Sequence, residues 1–160
     1  MRRRELGFSL IELLIVVAII LIIAAIAIPN FIRARISANE ASAVTSIHAV
    51  STAEIGYASS YPTIGFSVAL ADLGNGGTTP CPGTATAACF LDVSLSSGTK
   101  SGYKFTYAQD TSYSPSLGYT LNGDPAFYGV TGLQSYFIDQ TNVIRYAAPG
   151  PANASSPALQ

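Results

Sequence analysis

The sequence predicts an α+β fold in which one long N-terminal helix packs its second half against an antiparallel sheet of about four strands. Apart from Pro29, helix-compatible residues run from Phe8 to about Ala58. Short segments with alternating apolar and polar residues follow between Tyr103 and Tyr146, as expected for half-buried strands. A chain of 160 residues is the right size for one domain of this kind.

The first part of the helix is strongly apolar. From Phe8 to Ile28 the sole ionisable side chain is Glu12, and the segment has the roughly 20 residues needed to cross a bilayer. The arginines at 2–4 favour a cytoplasmic N-terminus. A plain transmembrane anchor is one interpretation of this segment. A secretory signal peptide, for which Ala25-Ile26-Ala27 supplies a small-x-small cleavage site, is another.

Glu12 favours a third interpretation. A carboxylate inside a membrane segment costs about 2.5–3.5 kcal/mol on insertion scales, so it is normally paired and functional. Cleavage after Gly7 would leave the new amine of Phe8 about one helical turn from Glu12. In a bundle of such helices that amine can pair with Glu12 of a neighbouring copy and fix the axial register between them.

The residues GFSLIELLIVV, which begin at Gly7, resemble the processing and assembly motif of type IV pilins and type II secretion pseudopilins. Pro29 also stands where that family commonly has a proline. The resemblance implies that Gly7 precedes the bond cut by a prepilin peptidase and that Phe8 becomes the N-methylated first residue. It also implies that Glu12 is the partner of that amine between subunits.

The chain is then expected to divide into four parts. Residues 1–7 are the leader, 8–29 the transmembrane and filament-core helix, and 30–148 the globular head. Residues 149–160, rich in proline, alanine and serine, are predicted to be a flexible tail. A helix of about 50 residues is about 75 Å long, so we expect its hydrophobic half to project from so small a head.

The second half of the helix has one apolar face. Its apolar residues recur at spacings of three and four, which predicts a buried stripe: Ile32, Ile36, Ala43, Val44, Ile47 and Val50. Pro29 removes one helical hydrogen bond and is expected to bend the helix, or to allow local unwinding when helices pack. Pro62 is a plausible stop.

A connector rich in glycine, proline and threonine separates the helix from the sheet. Phe66 to Leu73 is expected to form a short helix or turn. Cys81 and Cys89 are predicted to form one disulfide in an exported chain. Four strands are predicted beyond the connector: 103–107, 118–122, 136–139 and 142–146. Turns are expected at 122–125 and around 140–141.

Several classes of function are disfavoured. A net charge of −1 gives no basis for specific nucleic-acid binding. With His48 as the sole histidine and scattered carboxylates, no catalytic or metal-binding constellation is visible, so neither an enzyme nor a cofactor is expected. Asp124 and Asp139 are isolated, which does not support the calcium loop typical of major pseudopilins.

The resemblance implies a homopolymer. The expected protein is the major pilin of a type IV pilus, which serves adhesion, twitching motility or DNA uptake. Before assembly it would be a single-pass protein of the bacterial inner membrane with a periplasmic head; after assembly it would lie in an extracellular filament. Its expected partners are other copies, the prepilin peptidase and the assembly machinery. The alternatives are a pseudopilin of a type II secretion system and an anchored periplasmic binding protein that does not polymerise.

Overall fold

The computed structural model describes residues 9–159. The elements in chain order are α1 (Leu10–Ser60), a 3-10 helix (Leu70–Leu73), α2 (Val93–Ser96), β1 (Thr99–Lys100), β2 (Tyr103–Gln109), β3 (Tyr119–Pro125), β4 (Ser135–Asp139) and β5 (Arg145–Ala147). The architecture is α+β, as predicted, and the chain forms two compact units, Met1–Arg35 and Ile36–Gln160.

The described part of the first unit is helical. The backbone carbonyl of Ser9 accepts hydrogen bonds from the N–H groups of Glu12 and Leu13 at 3.1 and 3.2 Å. An acidic side chain in the first turn, as at Glu12, also suits the positive end of the helix dipole. Pro29 lies inside α1, where it removes one backbone hydrogen bond; the predicted bend or unwinding there stays a prediction.

In the second unit, α1 buries one face against the sheet. Its fully or nearly buried residues are Ile36, Ala43, Ser46, Ile47, Val50, Ser51, Ala53, Glu54 and Tyr57. The predicted apolar stripe is confirmed at Ile36, Ala43, Ile47 and Val50, whereas Ile32 is exposed. The helix ends at Ser60, two residues before Pro62, as a proline stop predicts.

The sheet has five antiparallel strands in the order β1-β2-β3-β4-β5. The strand that sequence reasoning missed is β1, which has two residues and is too short to show alternation. In β2 the side chains alternate as predicted: Tyr103 and Phe105 are buried while Lys104 and Thr106 are exposed. The apolar side chains of β2, β3 and β4 form the core with α1, the 3-10 helix and α2.

The turn predicted at 122–125 is wrong, because β3 continues through it to Pro125. Gly123 pairs with Phe105 of β2. A Cβ atom on Gly123 would lie 3.2 Å from the ring of Phe105 and 3.3 Å from the side chain of Ile47. The glycine therefore allows close approach of the helix and the neighbouring strand, which a sequence pattern cannot distinguish from a turn.

The turn at 140–141 is confirmed, but β5 begins at Arg145 rather than at Asn142. Asn142 has a φ of 61°, in the left-handed region that asparagine tolerates and that is incompatible with a strand. The 3-10 helix of the connector confirms the expected short helix, with Leu70 and Leu73 buried. Cys81 and Cys89 are joined by a disulfide.

The C-terminal segment packs on the sheet, in contrast to the expected flexible tail. The backbone N–H groups of Tyr146 and Leu159 donate to the carbonyls of Pro157 and Ile144 at 3.0 and 2.8 Å. The amide of Asn122 donates to the carbonyl of Ala152 at 2.7 Å, and Ala152 is buried. These hydrogen bonds, two between backbone groups and one from a side-chain amide, hold the segment although its composition offers few large apolar side chains.

Candidate assembly site

Of the three residues predicted for processing and assembly, Gly7, Phe8 and Glu12, the structure describes Glu12. It lies in the first turn of α1 and its side chain is exposed. Lys100 and Asp92 form the only ion pair between described residues, so Glu12 has no cationic partner within 9–159. Gly7 and Phe8, the predicted cleavage and methylation positions, lie outside the described residues.

The side chains around Glu12 form an apolar surface. From Leu10 to Ile32 the large apolar side chains of α1 are exposed, from 45% at Val17 to 80% at Leu10. By length and composition this helix can cross a membrane, since its most apolar window has a mean hydropathy of 3.3 and none of it is buried. Apolar surface of this extent is unfavourable in water, so it requires lipid or other protein.

Residues 2–28 match the family model described as the prokaryotic N-terminal methylation motif. The chain carries a prepilin-type motif. This match includes Gly7, Phe8 and Glu12, and it agrees with the pattern of one carboxylate within an apolar helix.

Two curated relatives are type IV pilins. The chain is 55% identical over 51 residues to the type IV major pilin protein PilA of Myxococcus xanthus, a match that covers 32% of this chain and 23% of that protein. It is 60% identical over 38 residues to the type IV wide pilus major component PilA4 of Thermus thermophilus, covering 24% of this chain and 29% of that protein. The matches thus span about a quarter of each relative's length. No solved structure matches the chain significantly.

The remaining predicted residues of this prepilin-motif protein lie away from Glu12 in the sequence. The disulfide between Cys81 and Cys89 closes a loop in the connector. His48 is exposed on α1 beside Thr52 and Phe90, with which it lines a shallow groove. Among residues 9–159 no three His, Cys, Asp or Glu side chains are grouped closely enough to hold a metal ion.

Sequence reasoning missed a buried carboxylate in the head. Glu54 is fully buried on α1, and its side chain accepts hydrogen bonds from Ser67 of the connector. Burial raises the pKa of Glu54, and the hydrogen bonds from Ser67 and Tyr107 lower it to a smaller extent. No local pattern indicates this cluster, because its members are far apart in the sequence and an acid in an amphipathic helix is normally solvated.

Proposed function

We propose that this protein is the major structural subunit of a type IV pilus, held in the bacterial inner membrane before it polymerises. The observation that carries the proposal is the methylation motif at residues 2–28, placed on an exposed apolar helix with a single carboxylate. The similarity to pilins of two other bacteria supports it. Both relatives are named as major components of a pilus, which supports a structural role for this chain.

The apolar helix would have two successive functions, first as a membrane anchor and then as the core of the filament. Before assembly, lipid covers its side chains, with the head on the periplasmic side. A prepilin peptidase would cut after Gly7 and leave Phe8 with an N-methylated amine. In the filament, the helices of other copies would replace the lipid, and each Glu12 would accept the positive charge of a neighbouring Phe8 amine. A pairing of opposite charges in an apolar bundle favours one register over all others, because every other register leaves both charges unpaired.

The proposed roles of the filament are adhesion, twitching motility or DNA uptake at the cell surface. A pseudopilin would share the same motif and helix but form a short periplasmic filament. An anchored binding protein would keep the helix in lipid and form no filament. Electron microscopy of cells that express the protein separates the three: surface pili support the proposal, while periplasmic filaments or none contradict it.

Processing is tested by the intact mass of the exported protein. We expect the loss of residues 1–7 and the mass of one added methyl group on Phe8. Gly7→Val should leave the leader attached, whereas the control Glu5→Ala, two residues from the cleaved bond, should be processed normally. A mature chain that begins at Ile28 would instead identify the segment as an ordinary signal peptide.

A further inference from the structure

The Glu54 side chain holds the connector onto α1. Its two carboxylate oxygens accept hydrogen bonds from the backbone N–H of Ser67 at 3.0 Å and from the Ser67 hydroxyl at 2.5 Å. Both residues are fully buried. The hydroxyl of Tyr107, on β2, donates to the carbonyl of Ser67 at 2.9 Å. Ser67 is thus held on one side by the helix and on the other by the sheet.

Among residues 9–159, no Lys, Arg or His side chain forms an ion pair with this carboxylate. Four titratable side chains interact electrostatically with Glu54, and each lies on a different element: Tyr57 of α1, Asp72 of the 3-10 helix, Tyr107 of β2 and Tyr119 of β3. Tyr107 and Tyr119 stack with their ring centroids 5.8 Å apart. Asp72 further disfavours the ionised form of Glu54.

The Glu54 carboxylate therefore becomes neutral by taking up a proton. A buried carboxylate without a cation is less favourable than the neutral acid. A protonated Glu54 can still accept the Ser67 N–H and can share its own proton with the Ser67 hydroxyl, so the hydrogen bonds survive in the neutral form. Ionisation would leave a buried charge that only opening of the cluster to water can solvate.

We propose that Glu54 is a proton-dependent clasp that locks the start of the connector onto α1 when protonated and releases it when ionised. Between the ordinary glutamate pKa of 4.5, which applies to the open state, and the raised pKa of the closed state, the closed state keeps a proton that the open state has lost. Opening therefore becomes more favourable as pH rises through this range. Above this range the dependence ends. The segment released is 61–69, between the end of α1 and the 3-10 helix. This inference does not depend on the filament role.

Hydrogen–deuterium exchange of the full chain in detergent micelles tests the clasp. After correction for intrinsic exchange, we expect the opening constant of the amides at 66–68 to rise at least tenfold between pH 4.5 and 7. Glu54→Gln, which is neutral at every pH and keeps the shape of the side chain, should remove this dependence. Glu40→Gln is the matched control, since Glu40 lies on the same helix, is partly exposed and accepts a hydrogen bond from the N–H of Leu133; it should behave as the unmodified protein does.

A pH-independent opening constant in the unmodified protein, or the same dependence in Glu54→Gln, would overturn the proposal. A second measurement covers the case in which Glu54→Gln fails to fold. The carboxyl ¹³C resonance of Glu54 in the unmodified chain, assigned by elimination against the other glutamates, should titrate with a midpoint above 4.5. A midpoint at or below the ordinary value would contradict the clasp.

Discussion

The hydroxyl of Tyr57 donates a 2.8 Å hydrogen bond to the backbone carbonyl of Ala85. Tyr57 is on the buried face of α1, and Ala85 lies within the loop that the disulfide closes. Tyr61, the first residue after α1, donates in the same way to the carbonyl of Gly83 at 2.9 Å, and the two rings are 4.8 Å apart. Two phenol groups, one on α1 and one just beyond its end, therefore fix the position of the disulfide loop.

Removing the Tyr57 hydroxyl should destabilise the head. Tyr57→Phe keeps the ring in the core but leaves the Ala85 carbonyl without its donor, so we expect a loss of about 1 kcal/mol in the free energy of unfolding. The matched control is Tyr61→Phe, which removes a solvent-exposed hydrogen bond. It should lower the free energy of unfolding by less. Urea unfolding of the full chain in detergent, followed by circular dichroism, measures both. Equal effects of the two variants would contradict the dominant role of the buried hydroxyl.

Loss of the disulfide should have a larger effect. Replacing Cys81 and Cys89 together by serine removes a cross-link with a sequence separation of 8, and loop-closure entropy gives a cost of about 2–3 kcal/mol. The same unfolding measurement under oxidising conditions provides the value. In a reducing buffer the unmodified protein should approach the double variant. An unchanged unfolding midpoint in the double variant would show that the disulfide does not stabilise the head.

Asp92 has two roles at the start of α2. Its carboxylate accepts the N–H of Leu95 at 2.9 Å, which caps the helix, and lies 2.8 Å from the Lys100 ammonium. Asp92→Ala should cost about 1 kcal/mol, mostly from the lost cap. Asp92→Asn keeps a capping side chain and loses only the charge pair, so it should cost a few tenths of a kcal/mol, because both side chains are partly exposed.

Asp92 should also make the free energy of unfolding depend slightly on pH. The hydrogen bond from Lys100, followed by that from Leu95, lowers the pKa of Asp92. Because the pKa of Asp92 is lowered in the folded state, its carboxylate stabilises the fold at pH above the ordinary pKa of 3.8. This stabilisation is lost as pH falls through the lowered pKa. The difference between the unmodified chain and Asp92→Asn should therefore shrink between pH 5 and pH 2. A constant difference over that range would exclude the charge pair as its cause.

Neutralising Glu12 tests the proposed register between subunits. We expect Glu12→Gln to reach the membrane in normal amounts, because the change makes the apolar helix easier to insert. It should nevertheless form few or no filaments by electron microscopy, since the amine of Phe8 would have no partner. Glu40→Gln, the same change on the head portion of the helix, should leave filament number within twofold of normal. Normal filaments from Glu12→Gln would refute the pairing.

The sequence predicted the elements whose signals are local. Periodicity located α1 and the buried positions Ile47 and Val50, and alternation located β2, because both patterns depend on near neighbours in the chain. The unusual position of Glu12 in an apolar segment indicates the prepilin motif. These features need no knowledge of what packs against them.

What the sequence could not predict depends on distant contacts. Gly123 resembles a turn residue, although its role is to make room for Phe105 and Ile47. The C-terminal segment resembles a disordered tail, although its backbone pairs with residues near Ile144. Glu54 resembles a surface acid, although Ser67 covers it. In each case the deciding partner lies on another element, and only the folded chain brings the two together.

The strand order also bears on how the head folds. Every pair of neighbouring strands is consecutive in the chain, so each pairing closes only a short loop and carries a small entropic cost. The sheet can grow outward from any hairpin, and no strand has to insert between two that are already paired. A head built in this way can complete its sheet in the order in which the chain becomes available, which limits the time that unpaired strand edges are open to aggregation.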